Sequence, residues 1–152
     1  MGYVEDLRAL IGHRCIILNG SVAIIPDNRG RILMQQRTQP YGKWGLPCGL
    51  MELGESTAET ARREVLEETG LVLGELELLG VYSGEDYLCQ IDNGDAFYVV
   101  TTAYIARQFT GIPYIADDES LQLCWFEPHA LPEDIAGTHR EIIGDYLKKI
   151  TV

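Results

Sequence analysis

The chain is short of positive charge: 12 lysines and arginines stand against 23 aspartates and glutamates, for a net charge of −11. Such a surface repels nucleic-acid backbones and anionic membranes, which argues against a long nucleic-acid footprint and against membrane binding. No apolar run reaches the length of a bilayer-spanning helix. The opening "MGYVEDLRAL" carries acid where a secretory leader carries base, so a cytoplasmic location is expected. Position 6 is Asp6, not the Ser or Thr of an N-myristoylation signal. The 4 cysteines, Cys15, Cys48, Cys89 and Cys124, form no C-x-x-C pair. That spacing fits neither a zinc site nor a small disulfide framework, and free thiols are expected. His13, His129 and His139 form no H-x-H or H-E-x-x-H, and are read as surface or capping residues. Walker A, G-x-S-x-G and G-x-G-x-x-G signatures are also missing, which removes three common routes to phosphate, acyl and dinucleotide chemistry.

What is present is the composition of an ordinary globular protein, 46% apolar and 23% charged over 152 residues. That length suits one domain, residues 1–152, with a sizeable core and no linker-like composition shift. Residues 3–11 place Val4, Leu7, Leu10 and Ile11 at helical spacing, with Gly12 as the stop. Two β-rich runs follow, 15–18 and 21–25, and then the turn "PDNRG" leading into a strand at 31–37, a hairpin signal. Residues 38–54 are rich in breakers and read as loop. The strongest helix is 56–69, opened by a Ser56/Glu59 capping box and closed by Gly70. Strands are expected at 76–82, 96–106 and 121–126, with an Asn93-Gly94 turn before the second and a loop at 109–120. A last amphipathic helix spans 138–150, with a second capping box at Thr138 and Glu141.

The helix at 56–69 carries Glu64, Glu67 and Glu68. At about 100° per residue these fall within an arc of about 100°, so they project into one small volume. Ala58, Ala61 and Val65 line the adjoining arc and face the core, which puts the acidic stripe at a cleft margin. Like charges at these spacings cost roughly 0.2–0.5 kcal/mol per pair. A divalent cation reverses the sign, because clustered hard oxygens suit Mg²⁺ or Mn²⁺. A solvated acidic helix face is the competing reading of the three glutamates taken alone.

The flanking residues extend the pattern: Gly49, five residues, Glu55, seven residues, Arg63-Glu64, Val65, one residue, Glu67-Glu68, one residue, Gly70, Leu71. This resembles the Nudix box, G-x5-E-x7-R-E-U-x-E-E-x-G-U with U apolar, at every fixed position across residues 49–71. The resemblance implies an α/β fold: a Nudix-type α/β/α sandwich around a mixed β-sheet. The N-terminal helix would be an addition, packed on the body or at a homodimer contact. It also implies Mg²⁺- or Mn²⁺-dependent hydrolysis of a nucleoside diphosphate linked to another group, either an ADP-ribose-like nucleotide sugar or an (oxidised) nucleoside triphosphate. The partner is then a small nucleotide, and the metal lets an acidic protein accept it.

In that resemblance Glu64, Glu67 and Glu68 hold the metal with the backbone carbonyl of Gly49. Arg63 pairs with Glu55 to orient them, and Glu64 is a candidate base. Arg37, at the end of a strand, is a candidate phosphate clamp or a surface ion pair. Trp44 is a candidate stacking residue or a loop aromatic closing the core. Glu119, with Asp117 and Asp118, could supply a further ligand or base, or be a solvated turn; Glu85 and Asp86 are weaker candidates. Many family members carry Gly-Gly where this chain has Cys48-Gly49, a costly change if that backbone needs positive φ. A nucleotide-sensing module without hydrolysis is the alternative, and retention of every box carboxylate argues against it.

Overall fold

The computed structural model describes residues 2–151. Helix α1 (Tyr3–Ile11) is followed by strands β1 (Ile16–Ile24), β2 (Ile32–Arg37), β3 (Trp44–Gly45) and β4 (Cys48–Leu50), and then by helix α2 (Thr57–Thr69). Next come β5 (Val72–Leu73), β6 (Glu77–Tyr82), a 3₁₀ turn (Glu85–Tyr87), β7 (Leu88–Gln90), β8 (Ala96–Ile105), β9 (Phe109–Thr110), β10 (Ser120–Phe126) and helix α3 (Gly137–Ile150).

The main sheet is mixed and ordered β4-β1-β8-β6, with β7 also paired to β8. At its centre β1 and β8 run parallel, from Ile16 opposite Phe97 to Ile24 opposite Ile105. β8, "AFYVVTTAYI", is rich in the β-branched and aromatic residues that suit a packed central strand. Two buried clusters lie on the two faces. Leu18, Val22, Phe97 and Val99 pack with Ile142, Ile143 and Tyr146 of α3. On the other side Ala23, Ile25 and Leu33 pack with Val65 of α2. The result is the expected α/β/α arrangement. A second sheet, β10-β2-β3, and a small β5-β9 pair complete it.

α2 forms where local signals place it. The Ser56 hydroxyl accepts from the Glu59 N–H at 3.0 Å, and the Ser56 N–H donates to the Glu59 carboxylate at 2.9 Å. Gly70 ends the helix in the left-handed region at φ 77°, where a side chain would be strained.

Four expectations are corrected. The two runs at 15–18 and 21–25 form one strand, because Gly20 is there for close approach: a Cβ would meet the Gly49 carbonyl of β4 at 2.8 Å. The turn at 26–30 exists, held by the Asp27 carboxylate accepting from the N–H groups of Arg29 and Arg31. Its strands then part into separate sheets rather than pairing along their length. The stretch 38–54, expected as loop, contains β3 and β4, and 109–120 contains β9: β3 folds back on the neighbouring β2, while β4 and β9 pair with strands further off in sequence. The second capping box does not form. α3 starts one residue earlier, and Glu141 instead accepts from the Tyr87 hydroxyl at 2.6 Å, while Asp145 accepts from Tyr82 at 2.8 Å. Among the described residues no helix is long and apolar enough to cross a membrane.

His139 is also not at the surface. It is 7% exposed, and its Nδ1 accepts from the Leu46 N–H at 2.9 Å, tying α3 to the segment between β3 and β4. Burial, with help from the Arg37 charge, lowers its pKa to about 3. The unfolded chain takes up that proton near pH 6.5, so this contribution is present above 6.5 and lost as pH falls toward 3. At pH 5 the loss is about 2 kcal/mol relative to pH 8. His139→Gln is expected to flatten this acid limb, read as urea midpoints at pH 8 and pH 5.

Candidate active site

α2 presents its carboxylates toward β4 and the turn that follows it, and each of the three meets the crowding differently. Glu68, the last, points inward and is 1% exposed. Its Oε2 accepts from Gln35 Nε2 at 2.6 Å, while its Oε1 has no hydrogen-bond partner. Burial raises its pKa to about 9 against the pull of Arg37 and Gln35, so without a cation it holds its proton at neutral pH. Glu64 lies halfway in, its Oε1 accepting from Arg63 Nη1 at 2.7 Å. Burial raises it as well, with Arg63 opposing and Glu67 adding. Glu67 turns outward and stays exposed, 3.3 Å from Arg63 Nη1.

Arg63 is the hub. Its Nε and Nη2 donate to the two oxygens of Glu55 at 2.7 and 3.0 Å, and Nη2 also reaches the Leu50 carbonyl at 2.9 Å. The fork-on-carboxylate geometry is bidentate. Glu55 accepts further from the Glu52 N–H at 2.9 Å and from the Thr60 hydroxyl at 3.1 Å. Arg63 above all holds the Glu55 carboxyl down at about 2.

Glycine at 49 leaves the Glu64 carboxylate its room. A Cβ there would fall 1.9 Å from the Glu64 carboxyl carbon. Its neighbour Cys48 carries no strain, since no non-glycine residue among those described has positive φ. Cys48 lies in β4 opposite Val22. Burial pushes its thiol up to about 11 despite the adjacent Arg37, so at neutral pH it is not a thiolate nucleophile.

Arg37 comes off the end of β2 and turns into the site. Its Nη1 lies 3.3 Å from Cys48 Sγ, and Nε donates to the Gln39 carbonyl at 3.2 Å. Among the described residues it makes no ion pair, yet its charge is felt at Glu68 and Glu119. The surface ion pair considered for it does not form. Trp44 is half-buried, edge-on to Phe126 with ring centroids 4.9 Å apart, and its backbone is bound to Asp134 and Ala136. Ala61 and Val65 are buried as expected, while Ala58 is only half-buried.

The carbonyl of Glu119 accepts from the N–H and the hydroxyl of Thr38, which joins the 117–119 turn to the end of β2. The Glu119 side chain stays exposed. Partial desolvation raises its carboxyl, as do Asp117, Asp118 and Glu67, with Arg37 opposing. Its charge reaches Glu64 and Glu68. Glu85 and Asp86 are exposed on the 3₁₀ turn and share no hydrogen bond or ion pair with the box carboxylates among the described residues.

Two residues of this site were not foreseen. Gln35 is 2% exposed, and Ser120, 7% exposed, donates its hydroxyl to Gln35 Oε1 at 2.6 Å. Together they aim Glu68. The available signal was Gln35 itself, a polar residue two places after buried Leu33, on the strand face that packs toward α2.

The donor set is one of hard oxygens: three glutamates and a backbone stripped of side chain at Gly49. Among the described residues no three such side chains converge on a ready cation cage. The buried Glu68 oxygen without a hydrogen-bond partner among the described residues fits a cation ligand.

The family model described as the NUDIX domain matches residues 18–146. An ADP-ribose pyrophosphatase of Methanocaldococcus jannaschii is 31% identical over 137 residues, covering 90% of this chain and 75% of the relative. An 8-oxo-dGDP phosphatase of Mus musculus is 32% identical over 116 residues, covering 73% of this chain but only 32% of the relative. The crystal structure of a MutT NUDIX hydrolase from Burkholderia pseudomallei superposes with a TM-score of 0.74 at 30% identity, covering 85% of this chain and 97% of that one.

Gln35→Leu removes the only donor to the Glu68 carboxyl among the described residues and leaves that buried group without a partner. A loss of about 1–3 kcal/mol is expected in urea denaturation, with Ser120→Ala costing less because Gln35 remains.

Proposed function

The chain belongs to the Nudix hydrolase family, and on that premise we propose that it hydrolyses the pyrophosphate of an ADP-ribose-like nucleotide sugar with Mg²⁺ or Mn²⁺, acting as one domain over residues 1–152. The observation that carries this reading is the buried Glu68 oxygen without a partner among the described residues, set beside Glu64 and a Gly49 where a Cβ would displace the Glu64 carboxylate.

Glu64, Glu67, Glu68 and the Gly49 carbonyl would hold the ion, and Glu119, on the opposite loop, would serve as a further ligand or base. A divalent ion held there would supply neutralisation of phosphate charge and a more acidic bound water. Everything else is done by the chain. Arg63 and Glu55 fix the turn and the Glu64 carboxylate through bonds already formed without a cation. Glu64 Oε2, the oxygen that Arg63 leaves free, takes the proton of the attacking water. Arg37, held by Cys48 and the Gln39 carbonyl, offers its remaining N–H groups to the diphosphate. Trp44 forms a wall of the substrate cleft.

The substrate class rests on the archaeal ADP-ribose pyrophosphatase, whose likeness spans most of both chains. A second reading, an oxidised nucleotide of the 8-oxo-dGDP or 8-oxo-dGTP kind, is favoured by the mouse relative over a smaller part of that protein.

A hydrolysis screen with Mg²⁺ or Mn²⁺ tests the proposal, using ADP-ribose, NADH, dinucleoside polyphosphates, dNTPs, 8-oxo-dGDP and 8-oxo-dGTP. ADP-ribose is expected to give AMP and ribose 5-phosphate fastest, and turnover of none of these would overturn the assignment. Glu68→Gln and Glu67→Gln should lower kcat at least about a hundredfold, the upper end of what the outer partners of a metal cost, while circular dichroism shows the fold intact. Near-wild-type turnover in both variants would sink the assigned role of the glutamates.

A further inference from the structure

α1 starts without a cap of its own. Tyr3 is its first residue, and Gly2 before it supplies no side chain to the unpaired N–H groups of the first turn. The acceptor comes from the Gly49–Glu55 turn of the box instead. The Tyr3 N–H donates to Glu52 Oε2 at 2.9 Å, and Gly2 lies so close that a Cβ would meet Glu52 Oε1 at 2.6 Å. A carboxylate at this position also meets the positive end of the helix dipole.

Glu52 leads directly to the site. Its N–H donates to Glu55 Oε1 and its carbonyl accepts from the Glu55 N–H. Glu55 grips Arg63, and Arg63 grips Glu64 and Glu67. Between the first turn of α1 and the box turn is an open cleft of about 240 Å³, lined by Tyr3, Val4, Ile17, Asn19 and Leu53 among others. The turn is therefore not packed flat on the helix, and the Tyr3–Glu52 bond bridges the gap. The far end of α1 is anchored too, by Arg8 Nη2 donating to the Ala96 carbonyl at 2.8 Å and by His13 against Asp95 at 2.7 Å.

We propose that α1 is a strut for the catalytic turn: its first N–H holds Glu52 and, through Glu55 and Arg63, sets the positions of Glu64 and Glu67. Glu52 occupies one of the variable positions between Gly49 and Glu55, so the role belongs to this chain and not to the motif. Tyr3 and Glu52 are positioning residues and touch no substrate. The proposal rests on the hydrolase reading above.

Two variants at one position isolate the bond. Tyr3→Ala removes the ring and keeps the N–H. Tyr3→Pro removes the ring and the N–H, yet proline is at home as the first residue of a helix, and Gly2, extended at ψ 171°, tolerates a following proline. Both should lose similar thermal stability. Tyr3→Pro alone should bind Mn²⁺ roughly tenfold more weakly, by electron paramagnetic resonance of free Mn²⁺, and lose kcat in proportion with KM unchanged. Glu52→Ala should reproduce this, and Glu52→Gln, which keeps an acceptor oxygen, should restore it. Equal Mn²⁺ binding and kcat in Tyr3→Pro and Tyr3→Ala would overturn the strut. If the wild-type chain takes up no Mn²⁺, the functional reading fails instead. Amide hydrogen exchange then decides the strut: faster exchange at Glu52 and Glu55 in Tyr3→Pro than in Tyr3→Ala supports it, and equal exchange overturns it.

Discussion

Three carboxylates within two turns of α2 repel one another, and the groups around that helix are placed by how the repulsion is met. Glu67 leaves for solvent, where water screens it. Glu64 stays and shares Arg63 with Glu55. Glu68 goes inside, where burial raises its pKa and keeps its proton, and among the described residues it makes no ion pair. Each solution has structural consequences. A half-buried Glu64 demands that Gly49 have no side chain, a buried Glu68 demands the Ser120–Gln35 relay, and an arginine shared by three glutamates demands a turn whose backbone it can also grip. A solvated acidic face would need none of these, and the burial of Glu68 means the stripe is not wholly a solvated face.

The fold supplies the rigidity. β1 sits at the centre of this arrangement: parallel to β8 on one side, antiparallel to β4 on the other, and bonded to the start of α2 through the Ser21 hydroxyl and the Thr57 carbonyl at 2.8 Å. Gly20 lets β4 approach closely, so the Gly49 backbone is carried on a strand rather than on a free loop. The opposite wall, Arg37 and the 117–119 turn, is joined by the Thr38 bonds to Glu119. Two walls from different sheets thus face each other across the glutamates.

What was legible in the sequence was local. The Ser56/Glu59 box and the Gly70 stop depend on residues a few positions apart and appear where the pattern puts them, whereas Glu64, Glu67 and Glu68, expected to project into one small volume, part company: Glu67 turns to solvent and Glu68 is buried. What was not legible depends on distant partners. Gln35 meets Ser120 across 85 positions, and His139 meets Leu46 across 93. Glu141 had a local offer from Thr138 and a distant one from Tyr87, and the distant one won because it also docks α3 on the sheet. Gly20 looked like a break between two strands, since nothing nearby shows that the Gly49 carbonyl occupies the space of its missing side chain. Hydrogen-bond partners that settle a buried polar group are set by tertiary contact, which periodicity does not encode.

The acidity of the chain fits the same picture. A net charge of −11 opposes the approach of a diphosphate, and the site cannot offset it with arginines alone. Arg63 is fully committed, its guanidinium bound to Glu55, Glu64, Glu67 and the Leu50 carbonyl. Arg37 is the one cation facing the glutamates without an ion pair among the described residues, and its neighbour at contact distance is a neutral thiol. Had Cys48 been an acid, Arg37 would have been neutralised as Arg63 is. With a thiol there, the guanidinium is held in place and its charge is not neutralised. The Cys48 departure from the usual glycine pair is therefore compatible with the site: it costs no backbone strain in β4, and it steadies Arg37 without quenching it.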